Sequence, residues 1–166
     1  QPGRVLDIGC GIGRNLGHLD GNGVGVDHNP DCVAACRARG LIAFTPDEFA
    51  TSAEARPAGF DSLLFAHVLE HLTETDAVAL VRQYLPFLRD GGRVLVITPQ
   101  PRGQASDATH VTMFDEPAVR RLAVMAALQV DSIRSFPFPR PVGRVFTHNE
   151  TVSILSRLPI QGSASS

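Results

Sequence analysis

The sequence predicts an α/β protein: an open, doubly wound sheet, mostly parallel with an antiparallel last strand, and helices on both faces. Three observations predict it. Short apolar runs with strand character alternate with helix-like stretches, the first run feeds directly into a glycine-rich loop, and two late strand-like runs are joined by a segment too short for a crossover helix.

Arg4 to Ile8, Val24 to Asp27, Leu41 to Phe44, Phe60 to Ala66 and Arg93 to Thr98 are the strand candidates of the parallel part. Helical segments between them imply right-handed crossovers and a sheet covered on both sides. One helix starts at the N-cap Asn29, has Pro30 in its first position and Arg37 and Arg39 in its last turn, and stops at Gly40. A second runs from about Thr75 to Arg89, with Ala77, Leu80, Val81, Tyr84, Leu85 and Leu88 as its apolar stripe, Pro86 distorting the last turn and Gly91-Gly92 as the stop. A third begins near Asp115, carries Glu116 and Pro117 in its first turn, and faces Val119, Leu122, Ala123, Ala126 and Ala127 to the core. Gln129 to Phe136 and Glu150 to Arg157 then read as an antiparallel pair at one sheet edge, separated by Pro137 to Pro141. Residues 1–160 are expected to form one domain, and the small, polar 161–166 a disordered tail.

Composition limits the function. The 166 residues are 43% hydrophobic and 19% charged, a globular balance, and no apolar run nears the roughly 18 residues of a membrane span. Gln1-Pro2-Gly3-Arg4 does not look like a secretory signal, and Cys10, Cys32 and Cys36 are an odd number without zinc-ribbon spacing, so free thiols in the cytoplasm are the expectation. A formal net charge of −2 gives no global field for nucleic acid. All 15 basic residues are arginine, which removes lysine Schiff-base and P-loop chemistry.

The ligand argument rests on Val5-Leu-Asp-Ile-Gly-Cys-Gly-Ile-Gly13. Glycines at 9, 11 and 13 let the backbone turn sharply and approach a ligand, with free amides at the start of a following helix. A dinucleotide fingerprint needs glycine where Arg14 stands. Asp7 beside the loop repels a pyrophosphate but suits the ammonium of a zwitterionic amino-acid ligand, which favours S-adenosylmethionine over NAD. Asp27, 18 residues after Gly9, stands near the spacing at which an acid accepts from ribose hydroxyls.

VLDIGCGIG, GVDHNP, FDSLLFAHVLEHL and GGRVLVITP, in this order, resemble the class I S-adenosylmethionine-dependent methyltransferases from about Pro2 to Pro159. The resemblance implies a Rossmann-like sheet ending in an antiparallel strand pair. It also implies a cofactor site in which the glycine loop, with Gly9, Cys10, Gly11 and Gly13 behind Asp7, holds the methionine part, Asp27 the ribose and Asp47 the adenine amino group, with His28, Glu48, Phe49 and Ala66 as further cofactor-binding candidates. Cys10 reads as a small packing residue rather than a nucleophile.

His67, Glu70 and His71, in His-Val-Leu-Glu-His, follow the fourth strand where the acceptor meets the methyl group. His67 or His71 is the candidate general base, against the plainer reading in which this segment only anchors the next helix. A metal site from His67, Glu70, His71 and His110 is a third option, on a loose similarity to small-RNA 2′-O-methyltransferases; no metal is assigned. His110, after the fifth strand, is a candidate acceptor contact. Arg140 and Arg144 among Phe136, Phe138 and Phe146 offer a basic, aromatic surface for an anionic acceptor, or a solvated connection. Methyl transfer to a small-molecule O, N or C nucleophile is the expected function, with a cofactor-binding module lacking catalysis, or a metal-assisted RNA 2′-O-methyltransferase, as the alternatives.

Overall fold

The computed structural model describes residues 2–158, so the expected 161–166 tail lies outside the described residues. One seven-stranded sheet organises the chain, in the order β3-β2-β1-β4-β5-β7-β6. The strands are β1 (Val5–Ile8), β2 (Gly23–Val26), β3 (Ile42–Phe44), β4 (Phe60–Ala66), β5 (Leu88–Pro99), β6 (Leu128–Phe136) and β7 (Glu150–Arg157). β1 to β5 are parallel, and β7 runs antiparallel to both β5 and β6. The expected doubly wound sheet is present, and β7 is inserted between β5 and β6.

All four residues of β1 are buried, as a central parallel strand requires. The strand order reverses between β1 and β4, so the loops leaving their carboxyl ends part and open a crevice. This crevice is where the glycine loop and the His67 to His71 segment meet.

Helix α1 (Pro30–Ala38) starts as expected: the Asn29 side chain accepts from Asp31 N at 2.9 Å and Pro30 takes the first position. Gly40 follows at φ +73°, a left-handed stop that glycine adopts without strain. Helix α5 (Glu116–Met125) is capped by Asp115, which accepts from Ala118 N at 3.0 Å, and buries Ala118, Val119, Leu122 and Ala123. Ala126 is buried beyond its end, whereas Ala127, expected to face the core, is exposed at φ +55°.

Three segments differ from the sequence expectation. No α-helix follows the glycine loop: turns and a short 3-10 stretch, Leu16–His18, lead into β2, and the amides of Gly9, Cys10, Gly11 and Gly13 are bonded within the protein, to Val26 O, Val26 O, Asp27 Oδ2 and Cys10 O. The second predicted helix, α3 (Glu74–Tyr84), begins one residue earlier under the Thr73 cap and ends before Pro86, which sits in the 3-10 turn Leu85–Phe87. Leu88 already belongs to β5, and Gly91-Gly92 lies inside that strand, where the register jumps from Phe60↔Leu88 to Ser62↔Arg93. Two short helices, α2 (Pro46–Thr51) and α4 (Pro101–Gln104), complete the chain. A Thr45/Glu48 capping box starts α2.

Candidate active site

The glycine loop is shaped by what it must approach. Gly9 (φ +74°) lies so close to Val68 that a side-chain carbon there would overlap Val68 Cγ2, so glycine is required for the β1 and β4 loops to meet. Gly11 (φ +52°) faces open space and leaves its surface free for a ligand. Gly13 (φ +79°) packs under Leu41 and Cys36. Cys10 is buried over Gly25, and burial pushes its thiol pKa well above the usual range, so it packs the loop and does not attack.

Asp27 ends β2 with both oxygens engaged: Oδ2 accepts from Gly11 N at 2.7 Å and Oδ1 from Asn29 N at 2.9 Å. One carboxylate thereby holds the loop and the start of α1. Four lone-pair positions leave it capacity for further donors such as ribose hydroxyls. His28, next to it, has a side chain 93% exposed.

Asp7 is the exception in an otherwise satisfied interior. It is fully buried, and neither side-chain oxygen has a hydrogen-bond partner. Burial raises its pKa from 3.8 to about 7; the Asn15 side chain offsets part of this but lacks hydrogen-bond geometry, and the nearby Asp27 charge adds to it. An orphaned carboxyl behind a glycine turn fits a cationic group, since an ammonium would satisfy both oxygens and return the acid to its charged form.

The expected adenine-side residues are placed less uniformly. Asp47 is exposed in the first turn of α2. Glu48 is tied to the Thr45 cap and to Arg37 at 2.8 Å, and these contacts hold its pKa below the usual carboxylate value. Phe49, expected in the cofactor site, has its ring in the core against Phe87 (5.0 Å between centroids) and Tyr84 (6.1 Å). Its burial there, with Phe60 also beside it, anchors α2 to the core. Ala66 stands half-buried at the end of β4.

His67 follows at φ +57°, a left-handed conformation that turns its ring between two carboxylates. Nε2 is 2.8 Å from Glu150 Oε1 and Nδ1 3.2 Å from Glu70 Oε1. Glu150 first and Glu70 second raise the His67 pKa from 6.5 to about 9, so the ring is an imidazolium at neutral pH. The base role expected of His67 does not fit this geometry, because both nitrogens are donors. Sequence reasoning missed Glu150: it stands 83 residues away, and only the return of β7 alongside β5 brings it to this edge. His71 is exposed and His110 nearly buried, with ring centroids 4.8 Å apart, and Glu70 is fully buried beside them.

Further along the same edge a cleft of about 650 Å³ is walled by residues including Pro99, Met113, Arg120, Arg140, Arg144 and Thr151. Arg120 and Arg140 both pair with Glu116, at 2.7 and 2.8 Å. The Phe138 and Phe146 rings stack edge-on at 5.4 Å beside it on the same connection.

A sheet reversing at β1/β4, a glycine loop with an unpaired acid behind it and a second acid at the end of β2 define an α/β protein built for an adenosyl-type cofactor with a cationic end. Residues 1–135 match the sequence profile of a family described as a methyltransferase domain. The chain belongs to this family, as a class I methyltransferase whose methyl donor is S-adenosylmethionine. No curated protein matches it at a significant level.

Among solved structures, a SAM dependent methyltransferase from Archaeoglobus fulgidus is similar with a TM-score of 0.72 at 18% identity, over 93% of this chain and 86% of that one. One from Methanosarcina mazei gives 0.71 at 17% identity, over 95% and 94%. An O-methyltransferase from neocarzinostatin biosynthesis, in complex with S-adenosylmethionine and 2-hydroxy-5-methyl naphthoic acid, gives 0.70 at 23% identity, over 95% of this chain and 49% of that one. At these identities the likeness is one of fold. Among the described residues no helix is long and apolar enough to cross a membrane.

Proposed function

We propose that residues 1–160 act as one domain that transfers a methyl group to an oxygen, nitrogen or carbon nucleophile of a small-molecule acceptor. The observation that carries this reading is the cleft of about 650 Å³ on the sheet edge that also bears the glycine loop and His67. Its volume suits a small ligand, and its wall combines apolar Met113 and prolines with arginines. The neocarzinostatin-pathway relative, with its naphthoic acid ligand, supports the same class. Free, buried Cys10 and Cys36 accord with a reducing cytoplasm.

When bound, S-adenosylmethionine supplies a methyl group activated on a sulfonium centre. Asp7 would receive the ammonium of the methionine part, the Gly9 to Gly13 loop would hold that part, and Asp27 would accept from the ribose while keeping the amides of Gly11 and Asn29. Asp47, exposed in the first turn of α2, is assigned to the adenine amino group. His67, held charged by Glu70 and Glu150, fixes the edge between cofactor and acceptor. Rate comes mainly from positioning: an acceptor atom held at about 3 Å in line with the scissile bond needs little base assistance.

The test is methyl transfer from tritiated S-adenosylmethionine to a panel of phenols, carboxylates, amines and a 3′-terminal RNA. Label in a small molecule is expected. Tight S-adenosylhomocysteine binding without transfer to any acceptor would instead identify a cofactor-binding module, and label in RNA would move the acceptor class.

A further inference from the structure

Glu70, His71 and His110 each place one potential ligand atom within 4.8 Å of the other two. We propose that these three side chains bind a divalent first-row transition ion at the acceptor edge. Three independent features support it.

The first is an unsatisfied carboxylate. Glu70 is fully buried; Oε1 bonds to His67, while Oε2 has no partner. A buried carboxylate oxygen without a donor is costly and asks for a cation. Backbone bonds fix its place, since Val111 N and Thr112 N both donate to the Glu70 carbonyl, at 2.7 and 3.1 Å. These bonds draw the loop that carries His110 onto the segment that carries His71.

The second feature is the tautomer of each histidine. His110 Nδ1 lies 3.0 Å from the Gln104 carbonyl, which only accepts, so Nδ1 carries the proton and Nε2 keeps its lone pair. His71 Nδ1 lies 3.3 Å from the Thr109 carbonyl and 3.1 Å from Thr109 Oγ1. The Thr109 hydroxyl donates to Asp107 Oδ1 at 2.7 Å, so both oxygens accept from His71 Nδ1 and its Nε2 is also free. Metal-bound imidazoles are oriented by this kind of hydrogen bond, from the remote nitrogen to a carbonyl.

The third is donor chemistry and room. Two imidazoles and one carboxylate suit zinc, cobalt, iron or manganese rather than calcium, and three protein ligands leave positions open to an acceptor. Ligand atoms about 2.1 Å from an ion lie roughly 3 to 3.5 Å apart, so the present spacing must close by more than an ångström. The His71 ring is exposed and tied only to the exposed Thr109, so it can make that movement, whereas Glu70 is fully buried and His110 nearly so. His67 is excluded as a ligand, because its two nitrogens are occupied by Glu70 and Glu150.

The role of the ion rests on the methyltransferase reading; its binding does not. A hydroxyl acceptor coordinated here loses its proton to solvent more readily. The oxygen then forms the O–CH3 bond as the S–CH3 bond breaks and its electron pair returns to sulfur, leaving a neutral thioether.

The experiment titrates the chelator-treated full chain with Co2+, followed by visible absorption and calorimetry, with Zn2+ as competitor. His71→Ala, His110→Ala and Glu70→Gln are compared with the exposed, remote control His18→Ala. One Co2+ per chain is expected, displaced by Zn2+, unchanged in His18→Ala and weakened at least about tenfold in either histidine variant. His71→Ala removes an exposed side chain, so the test stands even if Glu70→Gln does not fold. Absence of stoichiometric binding, or binding retained in both His71→Ala and His110→Ala, overturns the proposal. S-adenosylhomocysteine binding on the same samples is read separately, so loss of the cofactor reading and loss of the metal reading give different results.

Discussion

Replacing Asp7 by asparagine should make the free protein more stable and the cofactor site useless. Asp7 is fully buried with no partner for either oxygen, and its pKa is pushed from 3.8 to about 7. A carboxyl whose pKa is higher in the folded state contributes stability that is complete below its unfolded pKa and lost as pH rises through the folded value. Free wild-type chain therefore loses stability between about pH 4 and pH 7 through this group. At about 1.4 kcal/mol per pH unit, the span from 3.8 to about 7 comes to up to about 4 kcal/mol at pH 8. Asparagine has the same shape and no charge, so Asp7→Asn recovers up to that amount at pH 8, on the order of 10 °C in Tm for a chain of this size, and almost nothing at pH 4. Thermal unfolding across pH 4 to 8 measures the difference, and calorimetry with S-adenosylhomocysteine measures the loss of binding. Calorimetry of the wild type at pH 6 in buffers of different ionisation enthalpy should also show proton release on binding, as the ammonium returns Asp7 to its charged form. Asp7→Asn that is less stable at pH 8, or that binds the cofactor like the wild type, would refute the reasoning.

Three further outcomes follow from the same geometry. Asp27→Ala frees the amides of Gly11 and Asn29 and should cost about 1 to 3 kcal/mol in denaturant unfolding, together with most of the cofactor affinity. Gly9→Ala should destabilise by a similar amount, and Val68→Ala should restore only part of it, because the clash is relieved but φ +74° remains; a double-mutant cycle reads the coupling. Asp115→Ala removes the α5 cap and should cost about 1 kcal/mol with cofactor binding unchanged, which thermal unfolding and calorimetry together check.

How far the sequence predicts the molecule depends on whether the determinant is local. Parallel strands bury both faces, so β1, β2 and β4 appear as predominantly apolar runs, broken only by Asp7 in β1 and Asp61-Ser62 in β4, and Asn29, Gly40 and Asp115 mark helix ends through bonds made within four residues. Phe49 is a lone aromatic among polar neighbours in a six-residue helix, too short to show a period, and only the tertiary cluster with Tyr84 and Phe87 explains it. The Gly91-Gly92 pair resembles a helix stop because a strand irregularity uses the same left-handed freedom. The histidines are visible as a motif, but their hydrogen-bond partners are not: His67 meets Glu150, 83 residues on, and His110 a carbonyl six residues back.

The placement of β7 between β5 and β6 bears on the order in which the sheet is completed. A nascent chain that has emerged only as far as Asn149 has made β6 but has nothing to pair it with, and the flank of β5 stays open, an unsaturated edge of the kind that recruits other chains. Residues 150–157 join two strands at once and bring Glu150 to His67 in the same event. Assembly of the acceptor edge is thereby deferred until synthesis has passed residue 157, and a ribosome stalled shortly before that point would hold a polypeptide with its glycine loop encoded, its sheet unsealed and its acceptor edge unfinished.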